Sequence, residues 1–456
     1  MNDPSVAPPI PASDSGKTKL FLYLAWTIVL AYACALGWTI VRTAVDIPYW
    51  DEWEEFGGNG LILGWSNDYF LRFHNEHRLY FTELLFLINH RLFGMNFAYQ
   101  IYFNLFLYAV LGLTAWWTIG KRYLGRSWLA PVAFLPLLGD MIHFNHTTAY
   151  QNCAHLCVLF FIVGAWLLFQ RESWTAFGLA LLFWLAAMYS LANGIACLWA
   201  AAGVYWLRAI RRRKPGDLSK SLALLAFLAF ALYYWIDGFR KTPGHPEYSL
   251  FWQKNFLIFL AEAVSNGFGW TQLHPVIASI CLAAVAAAMG LAAWRVWRGS
   301  EDLWFPLALL LGMIASLALI SFARSGFGPE ASKASRYAEF SIFIPMLAFA
   351  LLRSERAPFR QGLIAVLTLL LGLGLFDNFT FRVYHETRAE RMVARRCVFA
   401  LLRGGPIKPE DRCPNSYPGS LHDKLDVAKQ LKMHFVVQAM QQPAPRGSAP
   451  ESAKRR

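Results

Sequence analysis

LFLYLAWTIVLAYACALGWTIV, Leu20 to Val41, leads within a few residues into DIPYWDEWEEF, Asp46 to Phe56. The first stretch is unbroken and apolar, long enough to cross a hydrocarbon core, which takes about 20 residues as a helix. The second is acidic and rich in tryptophan, and HNEHR, His74 to Arg78, follows after a gap. Acids, histidines and tryptophans therefore crowd the point where a helix leaves a bilayer. Charge near lipid is costly and is kept where it has a task. Indole and phenol rings suit the headgroup level, where an amphipathic ring meets both phases. The juxtaposition points to an enzyme working at a membrane surface on a lipid-linked substrate.

Composition sets the class. Of 456 residues, 56% are hydrophobic and only 16% charged, and the mean hydropathy is +0.35. That is too apolar for a soluble chain of this length and fits an all-α, polytopic membrane protein. The formal net charge of +13 is then a report on loop topology rather than a nucleic-acid signal. No basic patch interleaved with aromatics marks a single-strand binder, so no nucleic-acid partner is expected.

Apolar runs recur near 20–41, 97–119, 127–143, 153–170, 174–191, 194–209, 219–236, 273–295, 303–322, 339–352 and 361–377. This predicts about eleven transmembrane helices, 339–352 being the shortest. With the N-terminus in the cytoplasm, the inner loops hold Lys17, Lys19, Lys121, Arg122, Arg126, Arg171, the RRRKP cluster from Arg211, Arg295, Arg298, Arg353, Arg356 and Arg360. The outer loops are longer and hold fewer positives, which is the positive-inside bias. The half-apolar stretches 77–93 and 252–271 would break that pattern as spans, and are read as amphipathic helices on the outer surface.

The expected organisation is a disordered cytoplasmic N-terminus at 1–18 and a membrane domain at 19–377. Its outer loops are 42–96, 237–272 and 323–338. A small helical tail outside the cytoplasm follows at 378–436, with helices near 380–403 and 420–434, then a disordered end at 437–456. Seven cysteines are scattered and none forms a CxxC pair, so a zinc site is not indicated. Cys397 and Cys413 lie in the polar tail, where an oxidising compartment would let them form a disulfide.

Three clusters could carry chemistry. Asp46, Asp51 and Glu52 lead the acidic group of the first loop. A carboxylate there can take a proton from a sugar hydroxyl, or help hold Mg2+ or Mn2+ against phosphate charge. The residues leave both uses open, beside the plainer reading of a solvated turn. In HNEHR, His74, Glu76, His77 and Arg78 could bind an acceptor or sugar. On a helix, His74, His77 and Arg78 would share a face; otherwise the segment is a helix start capped by Asn75. The third cluster, ARSGFGPEASKASRYAEF at 323–340, holds Arg324, Lys333, Arg336 and Tyr337 on the side where positives are scarce. Guanidinium groups and glycine-exposed amides suit a phosphate. Pairing with Glu330, Glu339 or the acidic first loop is the alternative. A further polar turn, His143, Asn145, His146, Gln151 and Asn152, could line a pocket.

The arrangement resembles the GT-C superfamily of polytopic membrane glycosyltransferases. The points of likeness are Asp51-Glu52 after Pro48, early in a long loop behind the first helix, an amphipathic helix closing that loop, and Arg324 with Arg336-Tyr337 in a late loop. The likeness spans roughly 20–377, while its motifs cover a few dozen positions; HNEHR belongs to none of them. It implies an enzyme that moves a sugar from a polyprenyl-phosphate donor to a glycan or lipid acceptor on the outer face, with inversion. Asp51 would be the base, with Asp46 and Glu52 as rivals. Arg324 and Arg336, with Lys333 and Tyr337 nearby, would hold the donor phosphate. A bacterial inner membrane, with a periplasmic active site and C-terminus, is the expected location. A polysaccharide polymerase or ligase, and a lipid-linked oligosaccharide flippase or transporter, are the rivals. A transporter would carry ionisable residues deep in its spans. Few are evident here, Asp140 and Glu262 sitting near edges.

Overall fold

The computed structural model describes residues 16–125, 127–239, 245–352, 358–376, 378–404, 413, 416–417 and 419–441. Residues 1–15 of the expected disordered stretch 1–18, the inner-loop cations Arg126, Arg353 and Arg356, and the end from 442 lie outside these residues, while positions 16–18 already belong to the first helix. Among the described residues the protein is helical, and the one β-bridge joins His74 to His77.

The longer helices are α1 (Gly16–Thr43), α2 (Tyr80–Phe93), α3 (Phe97–Ala115), α4 (Asn152–Gln170), α5 (Trp174–Met188), α6 (Asn193–Arg212), α7 (Pro215–Ile236) and α8 (Lys254–Asn266). They continue with α9 (Pro275–Arg298), α10 (Trp304–Arg324), α11 (Phe343–Leu352), α12 (Pro358–Leu375), α13 (Arg382–Leu402), α14 (His422–Gln430) and α15 (His434–Gln441). Eight helical stretches among the described residues are long and apolar enough to cross a membrane: Lys19–Thr43, Phe97–Leu124, Ala149–Gln170, Pro215–Ile236, Pro275–Arg298, Glu301–Phe327, Ser335–Leu352 and Pro358–Leu375. The chain is thus a multi-pass membrane protein by its helices.

Three of the eleven expected spans fall short of that standard. Residues 127–143 break into Leu129–Phe134, Leu135–Leu138 and Asp140–Ile142; Pro136, lacking an N–H, cannot carry the α-helix on past Phe134. α5 has 15 residues, about 22 Å of helix, against a hydrocarbon core of about 30 Å. α6 has the length but ends in Arg208, Arg211 and Arg212.

α11 lies at the centre of the bundle with all ten residues buried. α10 packs along α6 and α11, and α4 along α3 and α5. α8 does not lie on the surface as its pattern suggests. It packs against α9 and α10, with Glu262 fully buried. α2 carries a buried face of Thr82, Glu83, Phe86 and Leu87.

The segment 42–96 and the tail share a second core at one end of the bundle. Trp53, Phe56, Phe86 and Phe97 meet Val398, Phe399, Met433 and Phe435 there. The tail continues to Gln441 in α15, beyond the expected end at 436. A disulfide joins Cys397 to Cys413.

Candidate functional site

Three turns meet at that end of the bundle. The first is the tight helical turn Trp50–Phe56. Residues three apart eclipse in such a turn, so Trp53 and Phe56 share a face, and both are buried against Phe435. The tail holds this turn: Trp53 Nε1 donates to Ser416 Oγ at 2.8 Å, and Tyr417 hydrogen-bonds Glu54.

The neighbours Asp51 and Glu52 separate here. Glu52 is fully buried. Its Oε1 accepts from the backbone N–H of Ala149 at 2.5 Å and Tyr150 at 3.4 Å, and its Oε2 from Tyr49 N–H at 2.8 Å. Burial pushes its carboxyl up to about 7, opposed by Arg391 and these amides. Oε1 ties the acidic turn to the entry of α4, while Oε2 caps the turn's own start at Tyr49. Asp51 stays exposed. Desolvation raises its carboxyl, opposed first by Arg336, while Glu54 adds to the rise. A carboxyl moved toward working pH with open surface suits a general base.

Asp46 has another task. Its Oδ1 accepts from Phe97 N–H at 2.8 Å and its Oδ2 meets His434 Nδ1 at 2.6 Å. It pins the tail to the start of α3 and does not line the cavity described below.

The second turn is HNEHR, which is neither a helix face nor a capped helix start. His74 N–H donates to His77 O at 2.8 Å and His77 N–H to His74 O at 3.0 Å. Asn75 at the tip has φ 53, a left-handed conformation asparagine tolerates. Both imidazoles are desolvated, which lowers His74 to about 3 and His77 to about 4, so both are neutral at pH 7. Arg78 leaves the cluster: its guanidinium bonds the carbonyls of Leu71 and Asp237 and lies over the Phe73 ring.

The third turn runs from Arg324 to Tyr337. Arg324 pairs with Glu76 and reaches His245 Nδ1 at 2.7 Å, so the pairing alternative holds for this residue. Lys333 is taken up by α8. Its Nζ bonds Glu262 Oε2 at 2.9 Å, Ser265 Oγ at 2.7 Å and Trp270 O at 2.6 Å. It therefore fastens the turn rather than facing the cavity. Arg336 is exposed, lies over the Tyr337 ring at 5.1 Å, and has no hydrogen-bond or ion-pair partner among the described residues.

These turns enclose a cavity of about 430 Å³. Asp51, Glu52, His74, Glu76, His77, Arg324, Arg336 and Tyr337 line it, and Asp46, Arg78 and Lys333 do not. Its other wall is apolar, built by Leu232, Trp235, Ile236 and Phe239 at the end of α7 and by Leu319, Ile320 and Phe322 of α10. Sequence reasoning missed Tyr150 and that apolar wall. The polar turn 143–152 was the one signal near Tyr150. Of its residues, Gln151 lines the cavity, while Asn145 and His146 are buried below it.

One pair runs against the expectation of ion-poor spans. His155 Nδ1 meets Glu339 Oε1 at 2.9 Å, with both side chains fully buried. Asn145 Nδ2 donates to the other carboxylate oxygen at 3.1 Å.

Among the described residues no group of three or more His, Cys, Asp or Glu is arranged to hold a metal ion, so Mg2+ or Mn2+ finds no ready centre. No protein-family model, curated protein or solved structure matches the chain.

Proposed function

We propose that the protein is a membrane glycosyltransferase that moves a sugar from a polyprenyl-phosphate donor to a hydroxyl of a cell-envelope glycan or lipid. The carrying observation is a single cavity with two unlike walls. One bears Asp51 and Arg336, which has no hydrogen-bond or ion-pair partner among the described residues, and the other is the apolar face of α7 and α10. Such a cavity suits an amphiphile whose charged head faces the polar wall and whose chain follows the other.

In this reading Arg336 holds the donor phosphate, which gains charge as the bond to the anomeric carbon breaks. Arg324 stands beside it, with Glu76 limiting its charge. Asp51 takes the proton of the acceptor hydroxyl as that oxygen bonds to the anomeric carbon, and the sugar inverts. Glu52 fixes the loop that carries Asp51. No step is routed through a metal.

The cavity end is assigned to the periplasmic side of a bacterial inner membrane. Two features support this. Disulfides persist in oxidising compartments, and Cys397–Cys413 sits at this end. Arg171, Arg211, Arg212 and Arg298 lie at the far ends of α4, α6 and α9, as the positive-inside bias requires.

The buried His155–Glu339 pair favours a second reading, a flippase for lipid-linked sugars, because ionisable groups inside spans often line a path. Photo-crosslinking tests the site. A diazirine-tagged polyprenyl phosphate is expected to label the peptides around Trp235–Phe239 or Leu319–Phe322. Arg336→Ala should cut that labelling about tenfold, the scale of one charge-assisted contact. Unchanged labelling in Arg336→Ala, or labelling confined to the outer faces of α1 and α12, would remove the phosphate clamp.

A further inference from the structure

Behind the polar wall lies a chain of buried groups with no part in the mechanism above. Glu55 and Glu83 are both fully buried, with Arg72 between them. Arg72 Nε donates to Glu83 Oε1 at 2.8 Å, and its Nη2 to Glu55 Oε1. Tyr69 OH donates to Glu55 Oε2 at 2.8 Å, and Tyr150 OH to Glu55 Oε1 at 2.6 Å. Glu55 therefore accepts from three side-chain donors, which is the pattern of an ionised, acceptor-only carboxylate.

That pattern fixes the next proton. A tyrosine hydroxyl has one hydrogen, and Tyr150 spends it on Glu55. Its oxygen can then only accept from His74 Nδ1, which lies 3.0 Å away. The proton of the neutral ring must sit on Nδ1, and Nε2 keeps a bare lone pair. The rings of His74 and Tyr150 also pack together, tilted by 33° with centroids 4.6 Å apart, so the imidazole cannot turn over cheaply. His74 lines the cavity, and Nε2 has no partner among the described residues.

We infer that His74 Nε2 is a fixed-tautomer acceptor for a hydroxyl group of the bound sugar or acceptor. Glu55 and Tyr150 are the positioning residues that set the tautomer, and Arg72 anchors Glu55. This nitrogen can be satisfied only by a donor hydrogen, and in a sugar site the donor is a polyol hydroxyl. The inference rests on the cavity being the sugar-transfer site, but the tautomer itself does not. Burial of the neutral ring agrees with it.

The experiment is nitrogen-15 histidine NMR on the full chain in a detergent without hydroxyl groups. His74→Gln assigns the resonance by its loss. The wild type is expected to show His74 as the neutral Nδ1–H form at pH 7. Octyl β-glucoside should then move the Nε2 signal upfield, while an alkyl amphiphile without hydroxyls leaves it in place. Tyr150→Phe should shift the ring toward the Nε2–H form. Should that variant fail to fold, the wild-type spectrum alone decides. An Nε2–H or doubly protonated ring at pH 7 overturns the inference, as does an Nε2 signal indifferent to the glucoside. A correct tautomer and glucoside response in a protein that transfers no sugar would instead sink the transferase reading and leave a polyol-binding cavity.

Discussion

Asp51 and Glu52 are adjacent in the chain and differ in exposure and in what their oxygens bond. Glu52 is fully buried with both oxygens bonded to backbone amides, while Asp51 is open to the cavity and faces Arg336. The same sorting divides the cations: Lys333 is fastened to α8, Arg324 is paired with Glu76, and Arg336 has no hydrogen-bond or ion-pair partner among the described residues. The histidine pair gives a pH test at this scale. His77 titrates at about 4 in the folded protein, against about 6.5 when unfolded. The folded state then binds fewer protons between those values. The stability His77 contributes is complete above about pH 6.5 and lost as pH falls toward 4. His74 acts in the same direction. Glu52, at about 7, and Glu83, at about 8, have the opposite sign, losing stability as pH rises through those values. The difference between His77→Asn and wild type isolates the histidine. The variant should lose about one histidine's share of the fall in Tm between pH 7 and 4.5. Identical slopes in the two proteins would mean that His77 is not held neutral.

Elements explain which parts of the site could be read from sequence. The spacing of His74 and His77 fits a helix face, but it equally fits the two facing positions of a two-residue turn, and Asn75 with its positive φ settles the matter only in three dimensions. The amphipathic pattern of α8 reads as a surface helix because periodicity cannot tell water from a buried partner. Here Lys333 stands where solvent was expected. The shortest apolar run, 339–352, proves the most buried, since a helix ringed by other helices needs no lipid-facing length. The tail's grip on the acidic turn is legible only in part: the two cysteines announce a staple, while Ser416 and His434 give no sign of their partners. The disulfide closes a loop with a sequence separation of 16, for which the loop-closure contribution is about 3 kcal/mol. A membrane-impermeant phosphine applied to spheroplasts should therefore free both thiols and lower the Tm of the purified protein by several degrees, about 2–4 °C per kcal/mol. Thiols released only in inverted vesicles would reverse the proposed orientation.

At the scale of the whole molecule, a helical bundle carries one end assembled from distant segments. Residues near 50, 75, 150, 235, 320 and 336 meet at one cavity. The length of the apolar runs placed most helices, because crossing a bilayer takes about 20 apolar residues. Convergence of the acids and bases could not be read that way, since it depends on how α7 and α10 bring their ends to the first loop. The cavity combines an apolar wall, an open carboxylate and a guanidinium with no hydrogen-bond or ion-pair partner among the described residues. The decisive measurement is sugar transfer by the purified protein, wild type beside Asp51→Asn. A panel of radiolabelled polyprenyl-phosphate sugars and a membrane-lipid acceptor extract would be supplied. The account predicts transfer from at least one donor and a loss of at least about a hundredfold in Asp51→Asn, the usual reach of a general base, with folding and membrane insertion unchanged. Full activity in the variant would remove Asp51 as the base, and no transfer by the wild type from any donor would contradict the transferase itself.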